Sequence, residues 1–174
     1  MRTLRRILLG LAVLVAAVFA IAYLDGLTLP VNHVATVTGT VAAPPAKVFA
    51  LITNISGAPN WRHAVKSVTV LPSDAGRDHW TENLAHGQTM TFLATRTEAP
   101  TRRDVLLDLA TPSYGGTWTY LLVPGPTPDT TILTITETGF IRPPLYRFMM
   151  HHVLGLTYNL NQYLTDVRAA APTL

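Results

Sequence analysis

The sequence predicts an α+β domain, an antiparallel sheet of seven strands covered by one long C-terminal helix, carried on an N-terminal transmembrane helix. Three observations predict it. Ile7 to Leu24 are 18 consecutive residues without a charge, enough for a helix to cross the hydrocarbon core of a bilayer. Short segments of alternating apolar and polar residues then follow one another, punctuated by Gly, Pro and Asp, with no room for crossover helices, so neighbouring strands run antiparallel. Finally, Leu145, Met149, Val153, Leu156, Leu160, Leu164 and Val167 recur three or four apart, the stripe of one long amphipathic helix.

A chain of 174 residues accommodates one membrane segment and one domain with its own core. The boundaries read as a transmembrane anchor or signal segment over 1–25, a linker over 26–32 and a folded domain over 33–174. The formal net charge is +3, yet beyond Asp25 ten Lys and Arg face nine Asp and Glu. The excess therefore lies in the tail, at Arg2, Arg5 and Arg6, and a near-neutral domain lacks the cationic footprint that nucleic acid requires. With no cysteine, disulfides, thiolate nucleophiles and Cys-ligated zinc are excluded together.

Arginines before a first apolar stretch stay cytoplasmic, which predicts a cytoplasmic N-terminus and a periplasmic or extracellular domain in a single-pass protein. A second reading stands beside it: Ala20-Ile21-Ala22 has the A-x-A form of a signal-peptidase site, and cleavage would release the domain as a secreted protein. Both readings export the domain. The run is apolar on every side, unlike a soluble helix with a polar face.

In the linker, Gly26 to Asn32 carries Gly, Thr and Pro without periodicity. His33 to Val41 alternates, with Ala35, Val37, Gly39 and Val41 on one face, as a half-buried strand does. Pro44 and Pro45 stop it, and Pro45 to Ile52 places Val48, Phe49, Leu51 and Ile52 at helical spacing. Asn54 to Asn60, with Gly57 and Pro59, predicts a turn or a second short helix. Strands are then expected over Val65 to Leu71, Arg77 to Asn83, Gln88 to Thr97, Arg103 to Leu109, Gly116 to Val123 and Thr130 to Thr138.

Parity predicts which side chains turn inward. Met90, Phe92 and Ala94 share a face, and unbroken alternation adds Arg96 and Glu98 to it. Trp118, Tyr120 and Leu122 share another, and Glu137 continues the face of Leu133 and Ile135. With Met149, His152 and Leu156 of the C-terminal helix opposite, the residues Phe92, Arg96, Trp118, Tyr120 and Glu137 would line an apolar cavity bearing a few polar groups, a site for a small ligand. Each has a simpler alternative. Trp118 and Tyr120 suit core packing, and Arg96 and Glu137 suit a buried ion pair or solvated strand ends.

The histidines His33, His63, His79, His86, His151 and His152 show no metal-ligand spacing, so neither metal nor cofactor is expected. Adjacent His151 and His152 diverge on a helix, His152 toward the apolar stripe and His151 toward solvent. No G-x-S-x-G, Walker A, G-x-G-x-x-G or H-E-x-x-H occurs, which removes the common nucleophile, nucleotide and zinc-protease signatures.

Several segments carry a family resemblance: Val41-Ala42-Ala43-Pro44-Pro45-Ala46-Lys47-Val48-Phe49; Trp61 with Val65 and Val68; Gly115-Gly116-Thr117-Trp118-Thr119-Tyr120; and Thr134-Ile135-Thr136-Glu137-Thr138-Gly139-Phe140-Ile141, followed by Pro143 and Arg147-Phe148. Over about residues 33 to 170 the chain resembles the START-like superfamily, also labelled polyketide cyclase/dehydrase or SRPBCC. The resemblance implies a helix-grip fold, a seven-stranded antiparallel sheet around the long C-terminal helix, with a hydrophobic tunnel for lipids, sterols or polyketides between them. One departure stands out: where the family often has Asn-Pro after the glutamate and glycine, this chain has Arg142-Pro143.

Three functions follow as expectations. The first is a membrane-tethered binding module for a small apolar ligand. The second is a cyclase or dehydratase in which Glu137 or Tyr120 moves a proton. The third is an interaction domain without a ligand. A cavity of about 300 Å³ or more favours the first over the third, and a titratable group within hydrogen-bond reach of Glu137 favours the second.

Overall fold

A computed structural model describes residues 2–108 and 113–173. Met1, Leu174 and Leu109, the expected end of the fifth strand, lie outside the described residues. The order is α1 (Arg2–Thr28), β1 (Asn32–Val41), α2 (Pro45–Thr53), a 3₁₀ turn (Ile55–Asn60), β2 (Val65–Val70), β3 (His79–Leu84), β4 (Thr89–Glu98), β5 (Arg102–Asp108), β6 (Tyr114–Pro124), β7 (Thr131–Ile141), α3 (Pro144–Phe148), a π-helical turn (Met149–Leu154) and α4 (Tyr158–Ala170). The α1 helix is long and apolar enough to cross a membrane.

All seven strands join one antiparallel sheet in the order β1-β7-β6-β5-β4-β3-β2. Strands β2 to β7 form a meander, and β1 returns beside β7 with Ala35 opposite Glu137 and Val37 opposite Ile135. Alternation explains the two faces. Ala35, Val37, Val41, Leu122, Leu133 and Ile135 are buried against Val48 of α2 and Leu160, Leu164 and Val167 of α4. On the outer face, Thr36 pairs with Thr136 and Thr38 with Thr134 through hydroxyls 3.0 Å apart, the cross-strand contacts that polar β-branched residues favour. Gly39 lets α4 approach: a Cβ there would stand 2.2 Å from Arg168 Nη2, whose guanidinium donates through Nε to Thr40 O at 3.0 Å.

This is the helix-grip arrangement, with two departures from the expected elements. The helix α1 runs through Gly26 to Thr28, into the expected linker, because that last turn is not free chain. Ala22 and Gly26 are buried, and a Cβ on Gly26 would lie 2.1 Å from Pro144 O, so the glycine permits close helix contact. The second departure is a correction: the C-terminal stripe is not one helix. Gly155, at φ 87° and ψ 143°, occupies a conformation essentially restricted to glycine and separates the α3 and π-turn segment from α4. Leu160, Leu164 and Val167 enter the core, whereas Leu145, Met149 and Val153 are exposed.

Candidate functional site

Between the inner face of the sheet, the 3₁₀ turn and the C-terminal helices lies a cavity of about 660 Å³. Phe92, Trp118, Tyr120 and Glu137 of the sheet and Leu156 from the turn before α4 line it. Arg96, Met149 and His152 do not. At Arg96 the β4–β5 register shifts between Ala94 and Arg96, so the extra residue breaks the alternation. Arg96 then emerges half-exposed and donates to Glu98 Oε1 at 2.8 Å, paired with its own strand and not with Glu137. Met149 faces outward while its neighbour Met150 is buried and lines the cavity. His152 Nε2 lies 2.9 Å from Asp25 Oδ2 of α1, on the outside of the segment.

One end of the cavity is polar, built by residues that parity alone did not single out. Strand β3 turns Trp80 and Glu82 inward, and β5 turns Arg103 inward. Glu82, 2% exposed, accepts on Oε1 from Arg62 Nη1 at 2.6 Å and from Trp80 Nε1 at 3.1 Å. Burial works to lower the Arg62 pKa, but the neighbouring Glu82 side chain, with Tyr163 and Tyr120, raises it overall. Arg62 also lies 5.0 Å from the centre of the Tyr163 ring, which packs edge-on against Trp61 at 5.4 Å and beside Tyr120 at 5.2 Å. Arg103 donates to Asp78 Oδ2 at 3.0 Å and sits over Trp80 at 5.6 Å. Burial pushes the Tyr163 hydroxyl up to about 12 and Tyr120 upward as well, so both remain neutral donors at physiological pH. Two buried atoms of this end, Glu82 Oε2 and Trp61 Nε1, have no hydrogen-bond partner among the described residues. Both residues belong to the cavity lining, and each keeps a buried polar atom unmet, which is costly.

Elsewhere in the cavity, burial raises the Glu137 carboxyl above its ordinary pKa, against a smaller lowering by the neighbouring Trp118 side chain. His33, whose pKa burial lowers, places Nε2 3.8 Å from Glu137 Oε1, beyond hydrogen-bond length. At the rim, exposed His63 is oriented by Asp166, with Nδ1 2.6 Å from Oδ1 and the backbone N–H donating to Oδ2 at 3.1 Å. Arg142, at the family's usual Asn position, lies over the Phe140 ring at 4.6 Å. Among the described residues no group of three or more His, Asp or Glu is placed to hold a metal ion.

The fold recurs in solved structures of low sequence identity. The Zhui aromatase/cyclase from Streptomyces sp. R1128 is 18% identical, with a TM-score of 0.65 over 81% of this chain and 94% of that one. A START superfamily protein from Mycobacterium smegmatis is 15% identical, with a TM-score of 0.63 over 81% of this chain and 98% of that one. A point mutant of norcoclaurine synthase from Thalictrum flavum is 12% identical, with a TM-score of 0.63 over 82% of this chain and 96% of that one. At these identities the likeness concerns the fold. No curated protein matches the sequence. The sequence model for polyketide cyclase/dehydrase and lipid transport matches residues 41–156, more than half of the chain and reaching from the end of β1 to the Leu156 wall of the cavity, and the chain belongs to that family.

Proposed function

We propose that the chain is an exported, membrane-tethered binding protein that holds one small, largely apolar molecule, lipid-like or polyketide-like, with a polar end seated between Glu82 and Trp61. The observation that carries this is the cavity of about 660 Å³ whose lining includes Glu82 and Trp61, the two residues that keep a buried acceptor and a buried donor without partners. A hydroxyl is the group that can both donate to an acceptor such as Glu82 Oε2 and accept from a donor such as Trp61 Nε1. A volume in the range of small-molecule sites favours this over an interaction domain with a filled interior. Phe92, Trp118, Tyr120 and Leu156 supply apolar wall. Export is supported by Arg2, Arg5 and Arg6 ahead of the apolar run.

The test is the thermal unfolding of the full chain in a fluorinated surfactant, whose tails compete poorly for a hydrocarbon site. A long-chain alcohol should raise the midpoint by preferential binding to the native state. An alkane of equal length should raise it less, and the cavity-narrowing pair Val105→Phe/Leu156→Phe should weaken the response. Equal shifts for alcohol and alkane would remove the polar seat from the account.

A second reading, proton transfer by Glu137 on a buried substrate, is favoured by the raised carboxyl pKa, since a general acid is tuned upward by burial. Glu137→Gln separates the readings: a catalyst loses turnover and keeps its ligand, whereas a binding protein shows no turnover to lose.

A further inference from the structure

We propose that the segment from Leu145 to Leu154 is an interfacial helix lying on the surface of the bilayer that holds α1, with lipid as the partner of its exposed apolar stripe. The proposal rests on the reading that α1 is inserted in a membrane. The uncharged run of α1 ends at Leu24, and the polar residue that follows, Asp25, marks where the helix leaves the hydrocarbon. At that level α1 is clamped to the segment. Gly26 meets the Pro144 backbone, buried Arg147 donates through Nε to Gly26 O at 2.8 Å, and His152 Nε2 lies 2.9 Å from Asp25 Oδ2.

The spacing of these contacts gives the direction. On α1 the polar contacts fall on adjacent residues and, with buried Ala22 one turn earlier, the contact spans about 6 Å of the axis, whereas on the segment Pro144 and His152 are separated by roughly 12 Å of helical rise. The segment therefore crosses α1 and does not run along it. If α1 stands across the bilayer, a crossing element at Asp25 lies near the membrane plane.

Its two faces differ accordingly. Tyr146 and Met150 line the cavity. On the outside, Leu145, Met149 and Val153 recur every four residues at 41%, 39% and 68% exposure, with Leu154 at 40%. Val31, exposed just beyond the end of α1, accepts through its carbonyl from Ile141 N at 2.8 Å, which ties the chain after the anchor to the end of β7. An apolar stripe that starts where the anchor emerges, and is fixed to it by backbone contact, has the bilayer itself as its nearest apolar phase. One helix then forms the wall between cavity and lipid, which places the route for an apolar ligand at this segment.

Because the chain has no cysteine, single cysteines report position cleanly. The full chain carrying Val153→Cys, or Met149→Cys as a second site, is labelled with an environment-sensitive fluorophore and reconstituted into phosphatidylcholine vesicles containing lipids with a shallow nitroxide. Leu14→Cys reports the anchor, and Val123→Cys, exposed at the far end of β6, reports the distal surface. The expected result is quenching at Val153 and Met149 several-fold above that at Val123, with Leu14 quenched by deep nitroxides. Quenching at Leu14 with Val153 and Met149 no different from Val123 overturns the interfacial helix and leaves the anchor standing. A shielded but unquenched Val153 assigns the stripe to protein and also overturns it. Absence of quenching at Leu14 removes the membrane reading and this inference with it.

Discussion

Arg62 and Glu82 meet through a single carboxylate oxygen, Nη1 to Oε1 at 2.6 Å, at the polar end of the cavity, and the second oxygen of Glu82 is buried without a hydrogen-bond partner among the described residues. The pair is buried enough for its loss to be felt. Glu82→Leu strands the Arg62 charge and the Trp80 N–H and is expected to cost about 3–5 kcal/mol of stability. The double variant Arg62→Met/Glu82→Leu should recover most of that loss and still fail to distinguish an alcohol from an alkane. Chemical unfolding followed by tryptophan fluorescence checks the first part, and ligand titration checks the second.

Glu137 and His33 give stability opposite dependences on pH. The Glu137 pKa is raised above 4.5 in the folded chain, by burial, so the folded state binds the proton more tightly than the unfolded one. Its contribution favours folding below that ordinary value and is lost as pH rises through the folded pKa. His33 is lowered from 6.5 by burial, so it opposes folding at low pH, and that penalty is relieved as pH rises from the folded pKa through 6.5. Glu137→Gln should flatten the unfolding midpoint against pH just above 4.5 while keeping the rise below 6.5. A profile identical to the parent chain would contradict the assignment.

The two halves of the C-terminal stripe should respond differently to truncation in a surfactant. Leu160 is fully buried, and Leu160→Ala is expected to cost about 2–5 kcal/mol through lost burial and a cavity. Val153 is 68% exposed, and Val153→Ala should stay within about 0.5 kcal/mol. Thermal or chemical unfolding of both variants decides this directly.

That contrast also shows what the sequence made legible. The strand faces of β1, β6 and β7 follow alternation because period two is imposed on any strand buried on one side, and this places Trp118, Tyr120 and Glu137 in the cavity. Arg96 escaped the rule because the bulge before it depends on the pairing of β4 with β5 and leaves no mark in local composition. The stripe from Leu145 to Val167 keeps helical spacing across Gly155, so periodicity alone joined two elements; the glycine was the available sign of a break. Glu82 and Arg103 stand at inward parity beside Trp80 and Val105, a legible oddity. Their partners Arg62 and Asp78 come from other segments of the chain, and only the fold brings them together.

Gly155 carries a prediction of its own. Its surroundings are open, with nothing within 4 Å of an added Cβ, so Gly155→Ala tests conformation without a clash. Holding alanine at φ 87° is expected to cost about 1–3 kcal/mol, read as a lower unfolding midpoint. An unchanged midpoint would mean that the break between the π-helical turn and α4 does not need glycine.

The most direct test of the binding account is native mass spectrometry, with solvent extraction, of the full chain purified gently from membranes. The account predicts one apolar molecule per chain, bearing a hydroxyl or comparable polar end and depleted in the Val105→Phe/Leu156→Phe variant. Parent and cavity-narrowed chains carrying the same lipids in the same amounts would contradict it.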